Sequence, residues 1–154
     1  MTTKLKLKNK SDVILSKYIE VNNRKYYADG KNVVFEPTKK ELSIALWLAN
    51  KLDETIIILP RIKQPEGVKT SDYIICNESW DLKEIISNRK DAVYNRIRNK
   101  KEQSTNFIID ISKSKLTIKA VVKQVNSIYQ HKNYKWLNKI IIKKNDEIIF
   151  INRK

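Results

Sequence analysis

The segment Lys69–Glu84 reads Lys-Thr-Ser-Asp-Tyr-Ile-Ile-Cys-Asn-Glu-Ser-Trp-Asp-Leu-Lys-Glu. Its chemistry lies in two carboxylates and a lysine: Asp72, Asp81 and Lys83. The pattern predicts a hairpin, with a strand Asp72–Cys76, a turn at Asn77-Glu78-Ser79 and a returning strand Trp80–Ile86. Side chains on a strand alternate faces, so Asp81 and Lys83 share one face while Trp80 and Leu82 share the other. A tight hairpin sets the start of one strand beside the end of the next, so Asp72 is expected to approach Asp81 and Lys83. Two carboxylates and a backbone carbonyl, that of Leu82, can hold Mg²⁺ or Mn²⁺ through oxygen ligands. Such a cation polarises a phosphodiester and acidifies its bound water. Lys83 can then orient that water or stabilise charge developing on the phosphate. Replacing Asp81 or Lys83 by alanine is expected to lower the rate by about 10²-fold or more and leave the fold intact.

Composition removes competing chemistries. The chain has 154 residues, and 32 Lys and Arg against 17 Asp and Glu leave a net charge of +15. That excess points to a polyanion, either nucleic acid or an anionic surface. Only two glycines are present, which excludes GxGxxG and Walker-type phosphate loops. The single cysteine, Cys76, excludes a disulfide framework and a cysteine-based zinc site, and reads as a small buried hydrophobe. The single histidine, His131, excludes two-histidine RNA cleavage; it falls in a polar loop and is assigned no role. Apolar runs such as Ile56–Leu59 are far shorter than a membrane span. Met1–Lys10 is basic but has no apolar stretch, so it is not read as a signal peptide. The expected site of action is cytoplasmic.

The elements that must position the constellation follow from periodicity. Residues 1–36 read as a basic arm, Met1–Lys10, followed by strands over Tyr18–Tyr27 and Val33–Phe35 around a turn at Asp29-Gly30. Residues 37–154 read as the main domain. Thr38 and Glu41 form a capping box for a helix whose apolar positions are Leu42, Ala45, Leu46, Ala49 and Leu52. Trp47 is read as packing on that helix. Ile56–Leu59, ended by Pro60, reads as a buried strand, and Arg61–Thr70 as a loop. Asp91–Gln103 is expected to be helical, Asn106–Ile111 a strand and Leu116–Tyr129 a helix. Trp136–Ile142 and Glu147–Asn152 are expected to pair around Asn145-Asp146. The fold class is therefore α/β, a mixed sheet with helices on its faces.

Two further groups bear on a polyanion. Arg89, Lys90, Arg96, Arg98, Lys100 and Lys101 crowd one expected helix, and Lys69 precedes the hairpin. They are candidate phosphate contacts, each neutralised phosphate releasing counterions. Trp80, Tyr134 and Trp136 are either base-stacking rings or core.

Asp72 followed by Asp81-Leu82-Lys83 resembles the PD-(D/E)xK motif of restriction-endonuclease-like nucleases, with Ser71 where the motif has proline. The element order from Thr38 to Ile111 is similar to that family's αβββαβ core. The resemblance implies that Glu41, on the first core helix, and Gln103, after the motif, join the catalytic set. The wider pattern, from Ile-Leu-Pro through Val-Lys-Thr-Ser-Asp-Tyr and Trp-Asp-Leu-Lys-Glu to Glu-Gln-Ser-Thr-Asn-Phe-Ile-Ile-Asp-Ile, resembles nuclease toxin domains. These stand at the C-termini of contact-dependent growth inhibition proteins, with related domains on phage and conjugative-element proteins. Several such toxins act on tRNA. The resemblance therefore implies a metal-dependent nuclease, RNA before DNA as substrate, a dedicated acidic inhibitor protein, and delivery within a larger protein. The alternatives are a metal-independent RNase of the barnase and colicin type, a DNA endonuclease, and a non-catalytic nucleic-acid-binding module of a mobile element.

Overall fold

Asn22 and Asn23 both take left-handed φ, 52° and 64°. Two consecutive positive φ values make a two-residue hairpin turn, a conformation asparagine tolerates. Tyr18–Tyr27, expected as one strand, is therefore folded back into a pair. The computed structural model describes residues 12–153, so the basic arm expected at Met1–Lys10 lies outside the described residues. From there the chain runs β1 (Val13–Leu15), β2 (Tyr18–Val21), β3 (Arg24–Tyr27), β4 (Val33–Val34) and α1 (Lys39–Leu52). Next come β5 (Ile56–Ile58), β6 (Arg61–Ile62), β7 (Tyr73–Ile75), β8 (Glu78–Glu84) and α2 (Ala92–Ile97). It ends with β9 (Asn106–Asp110), α3 (Ile118–Gln130), a 3-10 turn (Lys132–Tyr134), β10 (Lys139–Lys144) and β11 (Glu147–Asn152). The class is mixed α/β, as expected. Setting aside the two-residue β6, the order from α1 to β9 is αβββαβ.

The chain divides into two compact units, one ending at Ser79 and the other beginning at Trp80. In the first, β1 lies parallel to β5, and β5 antiparallel to β7. The turn expected at Asp29-Gly30 forms, with Asp29 Oδ1 accepting from the amides of Lys31, Asn32 and Val33. The capping box on α1 is complete: Thr38 Oγ1 accepts from the Glu41 amide and the Glu41 carboxylate accepts from the Thr38 amide. The buried face of α1 differs from the expected one. Glu41, Ile44, Ala45, Leu48 and Ala49 are buried, while Leu42 and Leu46 are exposed. Both sets fit a 3.6-residue period, and the one holding Ile44 and Leu48 faces in and carries Glu41 with it. The expected loop Arg61–Thr70 also contributes β6, which pairs with β4. β7 leaves through Cys76 and Asn77, at φ 50° and 66°. This two-residue turn replaces the one expected at Asn77-Glu78-Ser79 and leaves Cys76 exposed rather than buried.

In the second unit, β8 lies parallel to β9, β9 parallel to β10, and β10 antiparallel to β11. Phe107, Ile109, Ile140 and Ile142 pack with Val93 and Ile97 of α2 and Val121, Val125 and Ile128 of α3. Every residue of β9 is buried, the pattern of a strand covered on both faces. The helix expected over Asp91–Gln103 ends at Ile97. Asn99 takes φ 62°, and Arg98–Gln103 offers no apolar residue to bury, so packing cannot sustain the helix and the chain continues as turns. The last hairpin is shorter than expected at its start, with Trp136 preceding β10.

Candidate active site

Strand alternation places the second unit's chemistry. Along β8, Asp81 and Lys83 are buried with Ile85 beyond them, and the register sets Asp81 beside Phe107 and Lys83 beside Ile109. The ammonium of Lys83 lies 2.7 Å from Asp81 Oδ2 and donates to Gln103 Oε1 at 2.9 Å. Gln103 arrives there through the turn after α2, its amide bonded to the Lys100 carbonyl at 2.9 Å. Asp81 is 4% exposed and Lys83 8%. The pair is thus withdrawn from water, where a charge acts on its surroundings far more strongly than at the surface. Three of the residues singled out from sequence, Asp81, Lys83 and Gln103, meet in one unit.

Asp72 and Glu41 stand in the other unit, with a partner that the sequence pattern did not single out. The Arg61 guanidinium ion-pairs with the Glu41 carboxylate, and the Asp72 side chain lies beside Glu41. Burial alone would raise the pKa of Glu41. The Thr38 amide and the charge and hydrogen bond of Arg61 outweigh it and hold the carboxyl below the ordinary glutamate range. Behind it, the Tyr73 hydroxyl donates to the Glu41 carbonyl at 2.7 Å. No local pattern points to Arg61, which lies twenty residues from Glu41 along the chain.

This arrangement has a pH signature. Glu41 is the stronger acid when folded, so its contribution is whole above the unfolded value and is lost as pH falls through the folded one. Glu41→Gln keeps an acceptor for the capping box and removes only the charge. The melting-temperature gap between wild type and Glu41→Gln is expected to be widest near neutral pH and to close as pH drops below about 4, followed by circular dichroism. A gap of constant width would remove the Glu41 charge from this description.

The candidate phosphate contacts Lys69, Arg89, Arg96, Arg98 and Lys101 are exposed, and Lys100 is half-buried. Arg89 is 3.2 Å from Asp91, an exposed pair. As for a metal, among the described residues no three His, Cys, Asp or Glu side chains gather as a ligand set. Magnesium sites often use only one or two carboxylates, completed by water and substrate phosphate. Asp81 Oδ2 is buried against the Lys83 ammonium, and an ionised carboxylate has about four lone-pair sites, more than one ammonium takes up. The hard oxygens of Asp81 and the Leu82 carbonyl fit Mg²⁺ or Mn²⁺ in kind.

Among solved structures, the chain is similar to a CdiA-CT/CdiI toxin and immunity complex from Burkholderia pseudomallei. The likeness, one of fold, has 22% identity and a TM-score of 0.59 over 80% of this chain and 97% of that one. No curated protein matches. The family model described as the contact-dependent growth inhibition CdiA C-terminal domain matches residues 69–148, which include Asp72, Asp81, Lys83 and Gln103. That match spans more than half of the sequence, and the chain belongs to the CdiA C-terminal domain family of contact-dependent growth inhibition.

Proposed function

We propose that this chain is a toxic, metal-dependent nuclease of the PD-(D/E)xK type, hydrolysing phosphodiester bonds in RNA, with tRNA as the favoured substrate and DNA as the second. Family membership carries the coarse part of this reading: a growth-inhibiting domain that is delivered as part of a larger protein. The observation that carries the finer part is the buried Asp81–Lys83 ion pair on β8, with Gln103 bonded to the same ammonium.

Asp81 and the Leu82 carbonyl would hold the cation; Asp72 has only the role that the motif resemblance gives it. Bound Mg²⁺ would supply Lewis-acid polarisation of the scissile phosphate and a more acidic water. A cation on Asp81 would compete with the Lys83 ammonium for the same carboxylate. Gln103 Oε1, which accepts from the ammonium at 2.9 Å, would then hold Lys83 in place to stabilise charge developing on the phosphate. Gln103 is in this respect a positioning residue, acting through Lys83. Lys69, Arg89, Arg96, Arg98, Lys100 and Lys101 would carry the substrate backbone.

The solved structure of similar fold is a toxin held with its immunity protein. For this chain we assign a comparable partner, an acidic inhibitor protein whose negative surface is steered onto the +15 surface of the toxin. The test is expression in bacteria. Wild-type protein is expected to arrest growth, and co-expression of an acidic inhibitor encoded beside it to restore growth. Wild-type protein that is folded, abundant and harmless would overturn the toxin reading. No helix of the described residues is long and apolar enough to cross a membrane.

A further inference from the structure

The turn that brings Gln103 to Lys83 also builds one wall of an open groove of about 670 Å³ in the second unit. Asn99, Lys101 and Glu102 line it from that turn, and His131, Asn133, Tyr134 and Trp136 from the segment after α3. Tyr134 is the hub of its rings. Its centroid is 5.5 Å from Tyr94, 5.5 Å from His131 and 5.7 Å from Trp136, and it is itself buried. Trp136 stands in turn 6.2 Å from Phe107 of the core. Tyr94 is 37% exposed and His131 is exposed, so the cluster shows rings to solvent on a rigid base. Arg153 secures the far wall, donating to the carbonyls of Tyr129, Tyr134 and Leu137.

An aromatic cluster that only filled a core would not leave its rings facing a polar groove. The polar groups here are two side-chain amides, the His131 imidazole, the tyrosine hydroxyls, a carboxylate and one lysine, with the exposed side chains of Arg96 and Arg98 on the neighbouring stretch of chain. Glu102 would repel a phosphate seated in the groove, yet a carboxylate readily accepts the amino hydrogens of a base. Asn99 and Asn133 can both donate to and accept from a base edge.

We propose that this groove binds one unstacked nucleobase of a single-stranded or looped nucleic acid, stacked on Tyr94, with the strand's phosphates passing Lys101 and Arg98. The inference rests on the nucleic-acid reading above and adds to it that the substrate must present an unpaired base. Bases stacked within a duplex cannot enter.

The test is equilibrium binding of the wild-type protein in EDTA, by fluorescence anisotropy. It uses a labelled short oligodeoxyadenylate and a strand of the same length with every base removed, so that phosphate attraction cancels. The intact strand is expected to bind about ten-fold tighter, the scale of one stacked base. Tyr94→Ala should bring the two affinities to within about two-fold, and Tyr94→Phe, which keeps the ring, should preserve the preference. Equal affinity of the two strands for the unsubstituted groove overturns the proposal, as does a preference that survives Tyr94→Ala. Cleavage by wild-type protein with Mg²⁺, measured separately, keeps the two readings apart. Cleavage without base preference ends the groove assignment alone, base preference without cleavage ends the nuclease reading alone, and failure to bind either strand ends both.

Discussion

Lys83→Met is expected to lower nucleic-acid cleavage by about 10²–10³-fold, the loss seen when one preorganised donor is removed from a developing oxyanion. Methionine is close to lysine in volume and deletes the charge together with the hydrogen bond to Gln103. Lys83→Arg is the sharper comparison. It retains a positive charge beside Asp81 but places it on a planar fork, and the Gln103 acceptor at 2.9 Å is set for a compact ammonium. Low activity in both variants, with binding of nucleic acid retained, would show that the position of this charge drives the chemistry. Full activity in Lys83→Met would remove Lys83 from the catalytic set.

Stability gives the second large effect. On sequence alone, alanine at Asp81 or Lys83 was expected to leave the fold intact. Burial changes that expectation, since the side chains are only 6% and 11% exposed and 2.7 Å apart. Removing one partner leaves the other charge buried and unpaired, at a cost of about 3–5 kcal/mol. Replacing both together is expected to cost well under the sum of the single changes, because no orphaned charge remains. Urea denaturation of Asp81→Leu, Lys83→Met and the double variant measures this directly. Strictly additive single effects would mean that the pair is not coupled. Activity comparisons must therefore be made well below the melting point of each variant.

The strand-borne part of the candidate site was legible because period two is rigid. Once β8 is a strand, Asp81 and Lys83 must share a face, and the structure adds only their distance. The helix α1 and its capping box were legible for the same reason, a local rule satisfied by local residues. Its buried face was not. Two apolar stripes fit one helical period, and only packing selects Ile44 and Leu48 over Leu42 and Leu46. Left-handed asparagines account for most of the remaining differences. Asn23 turns an expected strand into a hairpin, and Asn99 ends α2 early. Asparagine reaches that conformation easily but does not announce it. The early end of α2 shapes the proposed sites, since the turn it releases carries Gln103 to Lys83 and Lys101 to the aromatic groove. The partnership of Glu41 with Arg61 spans twenty residues of chain, beyond the reach of any local pattern.

The central claim is that this chain cuts nucleic acid with a cation held through Asp81 and with the help of Lys83. The most direct measurement is incubation of the purified protein with tRNA, single-stranded DNA and duplex DNA, each with Mg²⁺ or with EDTA, resolved on denaturing gels. The account predicts cleavage with Mg²⁺, tRNA first, and intact strands in EDTA. Undiminished cleavage in EDTA would contradict it and favour a metal-independent ribonuclease, and intact substrates in every lane with folded protein would leave a binding module.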